Sequence, residues 1–263
     1  MPAVERRRSS SEWVRERDLL VELIARDIKL RYRGSLLGVL WTLLNPLAEL
    51  VVLLFVFGRV LQLQVSNFPA YLFTGLIAYG WFQTSATFAT VSVVGNRELI
   101  RRPGVRPAIL PVVTVASNLV HFVLSLPILF GLLVISHVPV TSAVVMLPVL
   151  IAIEFVFILG VAYPVSILHV WFRDTQHVLR VALQLLFYLT PVFYDVAIVP
   201  DQLRWFYAIN PMAHMLDAYR AVLVRGELPA PASVWYLVAV SVTLCASGFI
   251  WFRRVSPGFP DEL

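Results

Sequence analysis

Six carboxylates, two histidines, one cluster of arginines and a further single arginine are the side chains here that could do chemistry, and their settings divide them. Glu49 and Glu154 lie inside long apolar runs, where a charge is costly and usually faces a cavity or a partner. Such groups could relay protons, with burial shifting their protonation, or they could serve as interhelical hydrogen-bonding or lining groups. Asp195, Asp201, His214 and Asp217 sit together in one aromatic-rich stretch, and the spacing of three between His214 and Asp217 allows a shared helical face. No second ligand pair and no nucleophile with its base accompanies them, so neither a metal site nor a catalytic site is expected. Arg97, Arg101, Arg102 and Arg106 form a guanidinium cluster able to bind phosphate bidentately, and equally able to act as orientation signals. Arg173, Asp174 and His177 make a short polar turn suited to hydrogen bonding with a partner.

The elements that must position these groups are membrane helices. Hydrophobic residues are 59% and charged ones 14% of 263, a balance that excludes an ordinary soluble domain. A single cysteine, Cys245, permits no intrachain disulfide. A spanning helix needs roughly 20 apolar residues. Six stretches offer this, near 36–58, 69–94, 108–135, 143–169, 178–194 and 233–252, with kinks expected at Pro111, Pro127, Pro148 and Pro164. The expected fold is therefore all-α: a polytopic membrane protein of six transmembrane helices with both termini on one side.

Basic residues orient it. With the N-terminus inside, the inner segments hold 17 of the Lys and Arg residues and the outer ones only Arg59, Arg204, Arg220 and Arg225. The basic pI of about 9.7 is then a consequence of topology, and nucleic acid is not an expected partner. Arg6, Arg7 and Arg8 precede a polar stretch instead of an apolar core, so no cleaved signal peptide is expected.

Before the first span, Ser9 and Glu12 have capping-box spacing, and Trp13, Leu20, Ile24 and Ile28 recur on one helical face. This predicts an amphipathic helix lying on the membrane or packed on a neighbouring subunit, with Glu22–Arg26 and Asp27–Arg31 as i,i+4 pairs. At the other end of the chain, 178–226 begins as a span and then stays apolar for some forty residues, broken by Pro200 and Pro211. A plain loop would be shorter and more polar. Two short helices, 203–208 and 212–223, are expected to dip into the outer leaflet as a re-entrant pair, with Asn210 and Pro211 as the turn between them.

Four strings carry a family resemblance: RYRGSLLGVLWTLLNPL at 31–47, NRELIRRPGVRPAILP at 96–111, WFRDTQHV at 171–178 and LTPVFYDVAIVPDQLRWFYAINPMAHMLDAYRAVLVRG at 189–226. In this order and spacing the chain resembles the permease subunits of type-2 ABC exporters for lipid-linked polysaccharide, the group that handles O-antigen and teichoic acid. A P-loop needs Gly-x-x-x-x-Gly-Lys-Ser/Thr, and the one lysine, Lys29, follows Ile28 and Asp27, so the chain is not its own P-loop ATPase.

The resemblance implies a homodimer paired with two copies of a nucleotide-binding ABC subunit that carries ATP and magnesium, this chain binding no cofactor of its own. It also implies a bacterial cytoplasmic (inner) membrane location with both termini cytoplasmic, membrane lipids around the spans, and a lipid-linked polysaccharide as cargo. On this reading 1–33 is a cytoplasmic segment, 34–254 the transmembrane domain and 255–263 a cytoplasmic tail. Arg173, Asp174, His177, Arg101 and Arg102 would couple to the ATPase subunit. Arg97, Arg101, Arg102 and Arg106 would meet the lipid diphosphate. Trp41, Tyr79, Trp81 and Phe82 would line the glycan pathway, where aromatic faces stack on sugars and allow sliding, or would form packing and an interfacial belt. Trp205, Asn210, Pro211 and Tyr219 would form an external gate. The alternatives are a permease for another amphiphile, a proton-coupled transporter using Glu49 and Glu154, and an integral-membrane glycan transferase built on the outer Asp and His residues.

Overall fold

Helices account for the secondary structure among the described residues, as the long apolar runs require. The computed structural model describes residues 2–31, 33–35, 37–62, 65–101 and 106–262, with side chains described outside 2–16, 39, 260 and 261. Helix α1 is Pro2–Arg31, and α2 is Trp41–Leu53, continued by a π-helical Leu54–Val60. Then come α3 (Phe68–Ser92), α4 (Arg97–Ile100), α5 (Ile109–Ile135) and α6 (Leu147–Trp171). The chain ends with α7 (Thr175–Leu189), α8 (Arg204–Ile209), α9 (Pro211–Arg220), α10 (Pro231–Val255) and α11 (Phe259–Glu262).

Four helical stretches are long and apolar enough to cross a membrane: Trp41–Val60, Ile109–Ile135, Ser142–Trp171 and Pro231–Gly258. The second and fifth expected spans are helices too, but differ for two physical reasons. Helix α3 is 25 residues long yet is diluted by Thr, Ser, Gly, Gln and Tyr, and it is the most enclosed helix of the bundle. Helix α7 has only 15 residues before Thr190 and Pro191 end it.

Prolines act where their position in a helix lets them. Pro111 and Pro148 fall in the first turns of α5 and α6, where a missing N–H costs nothing, so the expected kinks do not arise there. Pro46, Pro127 and Pro164 lie inside α2, α5 and α6.

Helix α3 is the hub, packing against α2, α5, α6, α7 and α9. The closest helix pair is α6 with α10, and two glycines explain it. A Cβ on Gly160 would meet Leu244 Cβ at 2.7 Å and Cys245 N at 2.8 Å, while one on Gly248 would meet the Gly160 carbonyl at 3.1 Å. Small residues let membrane helices approach backbone to backbone, where van der Waals contact supplies the association energy.

Helix α1 starts at Pro2, ahead of the Ser9 expected as its cap, and proline in a first turn favours that start. Its last turns dock on the bundle. Arg31 pairs with Asp27 at 3.3 Å as expected, but Arg26 does not pair with Glu22: its Nη2 donates to Asn96 Oδ1 at 2.6 Å. The tertiary partner wins because Asn96 is held at the turn after α3 by its own bond to Ser92 O. At the chain's end, residues 256–262 fold back as a short helical segment whose Phe259 is fully buried, with α11 against α4 and α6.

Candidate functional site

Three regions carry the side chains singled out by the sequence. The first is the end of the bundle where α4, α11 and the α6–α7 turn meet. Phe172 takes an extended conformation that ends α6, and Asp174 opens α7 by accepting from the amides of His177 at 2.9 Å and Val178 at 3.0 Å. Arg173, Asp174 and His177 are all exposed, and among the described residues no ion pair joins Arg173 to Asp174. Their charges therefore stay available to a partner. Ile100 anchors α4 in the core, leaving Arg101 exposed and Arg97 half-buried, while Arg106 is exposed at the approach to α5. Arg102 lies outside the described residues.

The second region is a cleft between α2, α3 and α5. Trp41, Asn45 and Glu49 follow one another at i, i+4 and i+8 and so share a face of α2. Opposite them α3 offers Gly80, Trp81, Gln83 and Thr84, and α5 offers Asn118, His121, Phe122 and Ser125, lining an open cleft of about 400 Å³ on which Trp41, Asn45 and Glu49 are exposed. Arg31 of α1 closes one end. Its guanidinium donates to Asn118 Oδ1 at 2.7 Å, pairs with Asp27 and lies 4.2 Å from the centre of the Phe88 ring.

Trp41 and Trp81 are thus brought together at this cleft, but in different states. Trp41 is half-exposed, whereas Trp81 is buried, stacked on Phe122 at 5.1 Å and donating its Nε1–H to Val115 O at 3.4 Å. Tyr79 and Phe82 point elsewhere, into the packed interior, with Tyr79 donating to Leu183 O at 2.6 Å and packing edge-on against Phe82. Of the four expected pathway aromatics, only Trp41 presents a free face within the protomer.

The third region is the segment from 190 to 226. The expected helix–turn–helix is there: α8, then Asn210, then α9 with Pro211 at its first position. Asn210 is buried and does two jobs, accepting from Met212 N at 3.0 Å as the cap of α9 and donating to Thr190 Oγ1 at 3.1 Å. Gly226 ends the π-helical continuation Ala221–Arg225 at φ +69, and a Cβ there would meet Thr141 Cγ2 at 2.7 Å. Trp205 is exposed on α8.

Helix α9 is no surface lid. Most of it is buried, and it is pinned at two neighbouring residues. Tyr219 donates its hydroxyl to Glu154 Oε2 at 2.7 Å, so the carboxyl group inside α6 is held from α9. Arg220 donates to the carbonyls of Pro191 at 2.7 Å, Val192 at 2.6 Å and Tyr71 at 3.4 Å, and its guanidinium sits 3.5 Å from the centre of the Tyr71 ring. Gly75 makes room, since a Cβ there would meet Arg220 Nη2 at 2.7 Å.

Asp195, Asp201, Asp217 and His214 are engaged structurally. Asp195 accepts from Ala197 N at 2.8 Å, Asp201 pairs with Arg204 at 2.7 Å and Asp217 with Arg225 at 2.9 Å. His214 lies 2.9 Å from Ala208 O, which can only accept, so its Nε2 carries the proton.

The family profile described as ABC-2 type transporter matches residues 18–224, most of the chain. The chain belongs to the ABC-2 type transporter family. This ABC-2 chain is 36% identical over 247 residues to the O-antigen export system permease protein RfbA of Myxococcus xanthus, covering 92% of the chain and 95% of the relative. It is 31% identical over 248 residues to the protein of the same name from Klebsiella pneumoniae, with 94% and 95% covered. The polysialic acid transport protein KpsM of Escherichia coli matches at 24% over 241 residues, 88% and 91% of the two chains. The relatives are named as permeases and transport proteins, and the ABC-2 chain has the apolar helices of a membrane protein.

Asn45, Gln83 and Arg220 are not among the site residues expected from the sequence. For the first two a signal existed, a polar residue inside an apolar helix at helical spacing from Trp41 and Glu49 or beside Trp81. Arg220 carries no such signal, because nothing local reveals three carbonyl partners from distant segments.

Proposed function

We propose that this chain is the membrane-spanning subunit of an ATP-driven exporter that moves lipid-linked polysaccharide out of the bacterial cytoplasm across the inner membrane. The observation that carries this reading is end-to-end similarity to O-antigen export permeases, reaching 36% identity over 92% of the chain. The working unit is a homodimer with a pathway along its two-fold axis, joined to two nucleotide-binding subunits that bind ATP and magnesium. Each protomer crosses the membrane six times: α3 and α7 complete the four apolar spans, with enclosure by neighbours offsetting the polarity of α3. Both termini are cytoplasmic.

Closure of the ATPase subunits would press on α4 and on the turn bearing Arg173, Asp174 and His177. The short links to α5, α6 and α7 favour transmission of that push into the spans over absorption by slack. Arg97, Arg101, Arg102 and Arg106 would meet the lipid diphosphate at the cytoplasmic mouth, where guanidinium groups suit phosphate geometry. At the outer end, α8 with Trp205 would be the moving part of the gate. The bonds of Asn210, Tyr219 and Arg220 favour α9 as its fixed seat.

Depleting the chain tests the reading. Lipid-linked polymer should accumulate on the cytoplasmic face, and normal surface glycan after depletion would reject export.

A further inference from the structure

The α2–α3–α5 cleft holds a set of polar groups that the fold itself does not use. Asn45, Glu49 and Gln83 all line the cavity, and among the described residues none of the three side chains makes a hydrogen bond or an ion pair within the chain. Asn45 and Glu49 belong to an apolar helix of spanning length, where an unsatisfied polar group costs several kcal/mol in contact with hydrocarbon. Placed with a half-exposed indole on one helical face, such groups suit a ligand with one apolar face and a polar edge.

The charge pattern narrows that ligand. Arg31, a cation at the cleft, already bonds Asp27 and Asn118 and packs on the Phe88 ring, so a phosphate or carboxylate would have to compete with Asp27 for it. What a carboxyl group and two amides can accept from and donate to is hydroxyl. We propose that this cleft is a saccharide-reading site, in which the apolar face of a sugar ring stacks on Trp41 while its hydroxyls bond to Asn45, Glu49 and Gln83. The inference rests on the export reading above and adds to it a specificity-determining site inside each protomer, apart from any pathway on the two-fold axis.

Gly80 supplies the decisive variant. A Cβ built on it has nothing within 4 Å, so Gly80→Ala is accommodated, and a longer side chain would extend from the cleft wall that Gly80 forms. The purified chain in lipid nanodiscs is titrated with labelled oligosaccharide released from the lipid-linked glycan of the same cells, and export is followed in cells carrying each variant. Trp41→Ala, Asn45→Ala, Glu49→Ala and Gln83→Ala should each weaken binding about tenfold, the loss of one good contact. Gly80→Leu should abolish binding and export while leaving the melting temperature unchanged, and Gly80→Ala should fold and retain binding. Unchanged affinity in Gly80→Leu overturns the cleft assignment and leaves export standing. An oligosaccharide that does not bind the wild type also overturns it, whereas failure of the export reading is seen separately as normal surface glycan after depletion. Efficient cross-linking of Asn45→Cys to a second copy, with binding unaffected by the cleft variants, would assign the face to a subunit contact instead.

Discussion

Glu154 is fully buried in α6 with one bond to its carboxyl group, from Tyr219, and its Oε1 has no partner among the described atoms. A polar group left without its partner costs more than the bond itself contributes, because the desolvation is no longer offset. Tyr219→Phe should therefore destabilise the protein by about 1–3 kcal/mol, read as a lower midpoint in denaturant or thermal unfolding in detergent. Pairing Tyr219→Phe with Glu154→Leu should recover most of the loss, since replacing both partners by apolar groups of similar shape removes the orphan as well. A double variant no better than the additive sum would show that the pair contributes no coupling. The same logic separates Arg220 from Arg59, Arg204 and Arg225. It is buried without a carboxylate, and its three bonds go to carbonyls, which is the use to which a planar fork of donors is suited.

At the scale of elements, the turn between α8 and α9 and the turn between α6 and α7 make contrasting cases. The first is fixed internally, with Asn210 capping α9 and bonding Thr190. Asn210→Ala should cost about 1–2 kcal/mol of stability and loosen α9, measured by unfolding and by faster amide exchange in α9. The α6–α7 turn is internally idle, its charged side chains exposed and making no ion pair with each other. Arg173→Ala with Asp174→Ala should therefore leave stability within about 0.5 kcal/mol while uncoupling ATP hydrolysis by the partner from glycan export. Export at the wild-type rate per ATP would reject the coupling role. Both turns were legible in the sequence, because Asn-Pro before a short amphipathic stretch and a charged run between two apolar helices are local signals. The burial of α9 was not legible, since its own composition resembles a surface helix and the partners that draw it inward, Glu154, Tyr71, Pro191 and Val192 with the faces of α3, α6 and α10, lie far off in the chain.

For the whole molecule, the proposed orientation, with both termini cytoplasmic, can be tested from the two ends of the helix bundle. α4, α11 and the α6–α7 turn gather at one end, and α8, α9 and the turn at Gly226 gather at the other. Single cysteines introduced at Asp174 and at Glu262, in a Cys245→Ala background, should react with a membrane-impermeant reagent only after the cells are opened, and one at Trp205 should react in intact cells. The reverse labelling pattern would overturn the orientation.

What the sequence determined by itself was the membrane class, the helical segments to within a few residues, their order and the family. These follow from the length of apolar runs and from local breakers, quantities that need no knowledge of neighbours. Only the tertiary structure decided which side chains meet: Tyr219 with Glu154, Arg220 with three carbonyls, Arg26 with Asn96 instead of Glu22, and Asn45, Glu49 and Gln83 around one cavity. The physical reason is that an apolar helix carries little record of its own rotation. Close contacts between small residues, such as Gly75 under Arg220 and Gly160 under Leu244, set how helices approach and so which polar groups face one another.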